Sequence, residues 1–267
     1  MNSNLADFQG RFPATQWVTL GSTWTLRDTD QDATRVPLVM LPGAGGTGDT
    51  FYRAIDTLRE RRRVVSVSYP AVDDVNHLAS GLLVVLAKAG IDHFDLFGSS
   101  LGGYLAQLCA LREPSRVRRV MFANTFLDAT WLQRKIPRNA LMAKPADEHL
   151  AVTLTQLRAL PEDTAAKSDF KRTMLHLVGT DQTAEMAKAS LLAVLGASPL
   201  PEVEFPASKL AVLDAEDDPV VDEPTRQAMR DRYAASAQYR LTTGGHYPAL
   251  LNPDAFQAAL LEHFRSE

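Results

Sequence analysis

Apolar and polar positions along this chain fall into two alternating rhythms. Short apolar runs occupy residues 35–41, 63–69, 94–97, 117–123, 209–213 and 238–241. Their length, and the turn residues around them, predict buried strands. Between them lie stretches with apolar residues three and four apart, which predict helices. One helix covers residues 50–61, with Asp49 as its N-cap. A second covers residues 76–90, with Leu78, Leu82, Val85 and Leu86 on one face and Gly90 as its stop. A third begins at Leu101 and carries Leu105, Leu108 and Cys109 on its apolar side. A fourth spans residues 224–234. The last has Asn252 as N-cap, Pro253 at N1, and Phe256, Leu260 and Phe264 as its apolar positions. Near the front, residues 16–28 alternate around Gly21-Ser22 and predict an antiparallel hairpin. Strands alternating with helices at this spacing predict a mostly parallel sheet with helices on both faces.

The rhythm breaks at Leu127. As far as Ser208 the pattern is helical, in pieces at 146–160, 163–178 and 183–195, with no strand among them. The expected organisation is therefore a core of residues 1–126 and 209–267, interrupted by a helical cap over 127–208. There is no internal repeat and no low-complexity linker.

Composition narrows the possibilities further. The chain has 267 residues, 45% hydrophobic and 22% charged, which suffices for a sizeable core. A formal net charge of −4 offers no attraction to nucleic acid or to an anionic membrane. No apolar run approaches the length of a membrane span. Residues 1–13 lack the apolar centre of a secretory signal, so a cytoplasmic location is expected. The single cysteine, Cys109, excludes an intramolecular disulfide and a cysteine-based metal site, and its place on a helix predicts a buried packing role.

Chemistry concentrates after the strand at 94–97. It runs into Gly98-Ser99-Ser100-Leu101-Gly102, a Gly-x-Ser-x-Gly sequence, and a helix follows at once. This strand–turn–helix layout is that of a nucleophile elbow, with Ser100 on a tight, strained turn. Gly98 and Gly102 fall where strand and helix pass too close for a side chain. The helix starting at Leu101 turns its positive end toward the reacting atoms. A serine hydroxyl needs a base, and His246 sits in the loop 242–248 directly after the last predicted strand. His77, His93, His149, His176 and His263 lie at positions that suit this role less well. An acid is needed to hold the imidazole. The cluster 214–219 follows a predicted strand, and Asp218 is favoured within it. Asp217 is the close alternative, and Asp128, past the preceding strand, is the third.

The loop 43–48 admits three readings. Gly43, Gly45 and Gly48 spell G-x-G-x-x-G between a strand and a helix, as in a dinucleotide site, but the next strand ends in Ser68-Tyr69-Pro70 without a carboxylate for a ribose. P-loop spacing is also present, yet Asp49-Thr50 follows where Lys-Ser/Thr is required. The third reading is an oxyanion loop, in which the Ala44 N–H joins that of Leu101 to bind the negative oxygen formed when Ser100 attacks a carbonyl.

These segments, from Leu96 through the elbow to Gln107, with Phe8-Gln9-Gly10, Leu41-Pro42, Gly46-Thr47, Ser68-Tyr69-Pro70, Asn124-Thr125-Phe126 and residues 243–248, resemble the α/β-hydrolase-fold family. More narrowly they resemble the maspardin family. The resemblance implies the α/β-hydrolase fold and the chain order serine, acid, histidine. Animal maspardins carry asparagine at the position of His246 and act mainly as binding proteins, whereas this chain has the histidine. Two expectations follow. The first is a serine hydrolase that cleaves an ester or related acyl bond of a moderately apolar small molecule, with no metal or organic cofactor. The second is a maspardin-like binding or scaffold protein. Serine at position 100 argues against haloalkane dehalogenases and epoxide hydrolases of this fold, which use aspartate there.

Overall fold

In a computed structural model, residues 4–30 and 35–265 are described. The chain opens with a short helix, α1 (Leu5–Arg11), whose first turn is capped by the Asn4 side chain at the Ala6 N–H. The predicted hairpin follows as β1 (Thr15–Thr19) and β2 (Ser22–Asp28). Its turn lies one residue earlier than expected. Thr19 pairs with Ser22, and the two residues between them, Leu20 (φ 49°) and Gly21 (φ 74°), both have positive φ. Two positive φ values in a two-residue loop give the twist that antiparallel strands require.

The alternating region contains β3 (Leu38–Leu41), α2 (Tyr52–Leu58), β4 (Val64–Ser68), α3 (Val75–Lys88), β5 (Phe94–Ser99), α4 (Leu101–Arg112) and β6 (Val117–Ala123). Gly90 stops α3 as predicted, with φ 73°. The predicted role of Asp49 is not observed. Thr47 caps a 3₁₀ turn over Gly48–Phe51, its Oγ1 accepting from the Asp49 N–H, and the Asp49 carboxylate instead pairs with Arg27 of β2 at 2.6 Å.

Between β6 and β7 (Leu210–Ala215) the chain forms α5 (Thr130–Gln133), α6 (Arg138–Ala143), α7 (Ala146–Ala159), α8 (Ala165–His176) and α9 (Ala184–Leu195), and no strand. A π-type turn over Leu177–Asp181 follows α8. The chain closes with α10 (Glu223–Arg232), β8 (Ala237–Leu241), α11 (Pro248–Leu251) and α12 (Pro253–His263). Asn252 occupies the N-cap position of α12, but its side chain donates to the Thr243 carbonyl at 2.9 Å rather than capping the helix.

Among the described residues eight strands form one sheet in the order β1-β2-β4-β3-β5-β6-β7-β8, antiparallel at β1/β2 and β2/β4 and parallel elsewhere. Period-two alternation divides the core between the two faces. Val39 and Leu41 of β3 face α3 and α4, with Val65, Leu96 and Phe122. Leu38 and Met40 face α1, α2 and α12, with Val64, Phe97 and Met121. From β3 the chain crosses to β4 on one side and then to β5 on the other. That reversal leaves a crevice at the carboxyl ends of β3 and β5, where open α/β sheets place their ligands. Among the described residues no helix is long and apolar enough to cross a membrane.

Candidate active site

Ser100 stands between β5 and α4 with φ 54° and ψ −118°, a backbone conformation that side-chain-bearing residues rarely adopt. Its surroundings hold it there. The Ser100 N–H donates to the Ala123 carbonyl at 2.9 Å, and its own carbonyl accepts from Tyr104 N at 3.1 Å and Thr125 Oγ1 at 2.7 Å. The flanking glycines are required by close approach. A Cβ on Gly98 would lie 2.1 Å from the Gly102 carbonyl oxygen, and one on Gly102 would lie 2.2 Å from that of Leu41.

His246 and Asp218 meet across the loops that follow β8 and β7. His246 Nδ1 lies 2.9 Å from Asp218 Oδ2, and both side chains are buried. The other oxygen of Asp218 accepts from the N–H groups of Val220 (2.8 Å) and Val221 (3.1 Å), and Asn124 Nδ2 donates to Oδ2 at 3.1 Å. Burial pushes the Asp218 pKa up, but the hydrogen bond and charge of His246 and the two N–H groups outweigh it. The net effect holds the carboxyl below its ordinary range. The two alternative acids have other partners. Asp217 accepts from the N–H groups of Gly244 (3.3 Å) and Gly245 (2.7 Å), which anchors the histidine loop by its backbone. Asp128 accepts from the Thr130 N–H at 2.7 Å, at the start of α5.

Ser100 and His246 line one narrow cleft, with Gly43, Thr50, Tyr247 and Phe256 among its other walls. The hydrogen bonds formed do not include one between Ser100 Oγ and His246, a link that often tightens only when substrate is bound. A separate groove of about 1240 Å³ lies between α1, α2, α8 and α12 and contains neither residue. Two ion pairs among its lining residues are Arg53–Asp169 and Arg59–Asp56.

Leu101 begins α4, so its N–H has no intrahelical acceptor. Ala44 lies in the loop after β3, in a turn closed by the Gly46 N–H on the Gly43 carbonyl at 3.4 Å. The loop adjoins the elbow, since a Cβ on Gly43 would stand 3.1 Å from Ser100 Cβ. Neighbours within the chain account for the other two glycines of the G-x-G-x-x-G pattern. A Cβ on Gly45 would lie 2.5 Å from the Tyr247 hydroxyl, and one on Gly48 would lie 2.9 Å from Val67 N. Asp49, the residue out of place for a P-loop, is buried in its ion pair with Arg27.

Four contributors were not assigned from sequence. Asn124 (φ 43°) bridges Asp218 Oδ2 and the Gly245 carbonyl (2.8 Å), and its signal is its residue type, since asparagine tolerates positive φ. Thr125 holds the Ser100 carbonyl. Tyr247 packs against the 43–48 loop, its phenol pushed up to about 12 by burial and by the Asp218 charge. Gln182, after α8, donates to the Ala44 carbonyl at 3.4 Å. Cys109 is buried with its thiol pushed up to about 12 by desolvation, consistent with the expected packing role.

A mostly parallel sheet of this strand order, with a strained serine after β5 and a histidine–aspartate pair after β8 and β7, defines the α/β-hydrolase class. The model of the alpha/beta hydrolase family matches residues 38–259, and the chain belongs to that family. Maspardin from Homo sapiens is 28% identical over 232 residues, covering 85% of this chain and 74% of maspardin. Among solved structures, the enol-lactonase from Burkholderia xenovorans LB400 superposes with a TM-score of 0.77 at 15% identity, over 94% of this chain and 100% of that one. A thermophilic esterase from Thermogutta terrifontis gives a TM-score of 0.77 at 18% identity, over 94% of this chain and 98% of that one.

Proposed function

We propose that this protein is a serine hydrolase acting on an ester or related acyl bond of a moderately apolar small molecule. The observation that carries the reading is the buried His246–Asp218 pair at 2.9 Å, whose histidine lines the same cleft as the strained Ser100. Asp218 keeps the Nδ1 proton of His246 in place, which leaves Nε2 free as the base. Ser100 Oγ attacks the carbonyl carbon while its proton passes to Nε2. The carbonyl electron pair moves to oxygen, and the N–H groups of Ala44 and Leu101 receive the oxyanion. Collapse expels the leaving group with the proton from His246 and leaves an acyl-Ser100 ester. Water, deprotonated by the same imidazole, then releases the acid. These steps use side chains, backbone and water alone. Residues 127–208 act as a cap over the cleft, and Gln182 and Phe170, which contact Ala44 and Tyr247, support that assignment.

The test is covalent labelling with a fluorophosphonate, read by intact mass, beside the Ser100→Ala variant. A single adduct on the wild type, absent from the variant, is the expected result. A folded wild type that takes no adduct would overturn the hydrolase reading in favour of a maspardin-like binding protein.

A further inference from the structure

We infer that Asp181 and Gln182, at the turn after α8, are positioning residues that set the oxyanion loop from the cap side. The inference rests on the serine-hydrolase reading above. Of these two adjacent residues, Gln182 touches the loop between β3 and α2 directly, and Asp181 is linked to its far end through Gln9. Gln182 is buried, 6% exposed, and its Nε2 donates to the Ala44 carbonyl at 3.4 Å. Asp181 Oδ2 accepts at 2.8 Å from Gln9 Nε2 of α1, and the same Gln9 amide donates at 2.8 Å to Oδ2 of Asp49, just past the loop. Arg27 holds the other Asp49 oxygen at 2.6 Å and donates to the Phe12 carbonyl at 2.5 Å, which ties the loop's far end to α1 and β2.

The consequence for catalysis comes from peptide geometry. In a trans peptide the C=O and the N–H point in opposite directions. The peptide before Ala44 is fixed through its carbonyl on Gly43, which accepts from the Gly46 N–H. The peptide after Ala44 is fixed through the Ala44 carbonyl, which accepts from Gln182. The first plane carries the Ala44 N–H, and pinning both planes around one Cα restrains φ and ψ at Ala44, so the second pin braces the first plane against rotation. The first pin is local to the loop. The second comes from Gln182, 138 residues away in sequence, so the 181–182 turn steadies the plane that carries the oxyanion donor from outside the loop. A π-type turn, the irregularity that places residues 181 and 182, is a feature often found at functional positions. Gln182 Oε1 is buried without a hydrogen-bond partner among the described residues, so the amide's contact with the loop is made through its donor end.

The experiment uses the full chain. Gln182→Met keeps the volume and removes the donor. Gln9→Met cuts the second strap from outside the cap, so the inference does not depend on one variant folding. Both are compared with wild type in hydrolysis of p-nitrophenyl butyrate and in inhibition by an alkyl trifluoromethyl ketone. Ser100 Oγ adds to the ketone carbon, the carbonyl electrons become a hemiketal oxyanion, and the serine proton goes to His246. Gln182→Met is expected to lower kcat by about tenfold to a hundredfold with KM nearly unchanged, and to weaken the ketone by a similar factor. The pH midpoint of kcat/KM stays that of the wild type, because His246 and Asp218 are untouched. Gln9→Met gives a smaller loss of the same kind, and Asp181→Asn, which keeps an acceptor for Gln9, restores most of the activity lost in Asp181→Ala. Folded variants with wild-type kcat and ketone affinity would overturn the inference, as would losses confined to KM. If the wild type itself takes no fluorophosphonate, both this inference and the hydrolase reading fall. If it is labelled and the variants behave as wild type, this inference alone falls.

Discussion

Replacing Asp218 by asparagine tests the proposed mechanism at its most constrained point. The Oδ1 atom of Asp218 is held by two N–H donors, Val220 and Val221, at 2.8 and 3.1 Å. An amide placed there must therefore keep its oxygen toward those donors and turn its NH₂ toward His246 Nδ1. That nitrogen becomes an acceptor, so the imidazole proton moves to Nε2. The face toward Ser100 then presents a donor where a base is required. The new NH₂ also meets the NH₂ of Asn124, which donates to Oδ2 at 3.1 Å and to the Gly245 carbonyl at 2.8 Å. Turning Asn124 over would present its otherwise unpartnered Oδ1 to the new amide, but would forfeit the Gly245 bond. Stability should thus change by about 1–3 kcal/mol, the cost of one unsatisfied buried group. Catalysis should fall by about 10⁴-fold, the loss seen when the same change imposes the wrong tautomer on a serine protease, or roughly 5.5 kcal/mol in the barrier. The assay is kcat/KM for a p-nitrophenyl ester between pH 5 and pH 9, with fluorophosphonate labelling rates by intact mass. A folded Asp218→Asn variant within about tenfold of wild type would refute the tautomer argument, and with it the role of the His246–Asp218 pair.

Four further variants test other contacts. Gly102→Ala drives a Cβ to 2.2 Å from the Leu41 carbonyl oxygen, a backbone atom in the central sheet, so the midpoint of thermal unfolding should drop by on the order of 10 °C, measured by calorimetry. His263 is buried, and desolvation first, then Arg119 and Arg62, push its pKa down to about 4 despite the hydrogen bond to the Val120 carbonyl and the charge of Asp95. Its folded pKa lies below the unfolded value of about 6.5, so the unfolded chain takes up a proton that the folded chain refuses as pH falls through this window. Stability should therefore decline from pH 6.5 toward 4, by about 2.5 kcal/mol at pH 4.5, and urea titrations of His263→Gln should show that decline reduced by this amount. Asp217→Ala should lower kcat by about tenfold by releasing the Gly244 and Gly245 N–H groups that aim the histidine loop, whereas Asp128→Ala, at the start of α5, should leave steady-state kinetics unchanged within about twofold.

What the chain discloses in sequence depends on how local the deciding contact is. The strands of the parallel core are legible because both faces of the sheet are covered, and β3 spends Leu38 and Met40 on one side and Val39 and Leu41 on the other. The elbow is legible because Gly98 and Gly102 exclude a Cβ within a few residues of Ser100. Asp49 misleads for the opposite reason: its position suits a helix cap, but Arg27, on a strand paired far from it in sequence, takes the carboxylate. The choice between Asp217 and Asp218 is of the same kind. Both follow β7, and their order along the chain does not say which turns inward. That is settled by the two N–H groups of Val220 and Val221 on Asp218, and by Arg226 of α10, which donates to the carbonyls of Glu216, Asp218 and Val221 and so fixes the loop's path. The Arg226 charge is itself balanced by Glu223 at 2.7 Å and Asp214 at 3.5 Å. Gln182 and Asn124 are further cases, polar residues that local pattern treats as ordinary surface or turn positions until the fold brings an acceptor to them. The site is therefore least readable where one carboxylate or amide is chosen over its neighbour, because that choice is made by donors that arrive from other elements.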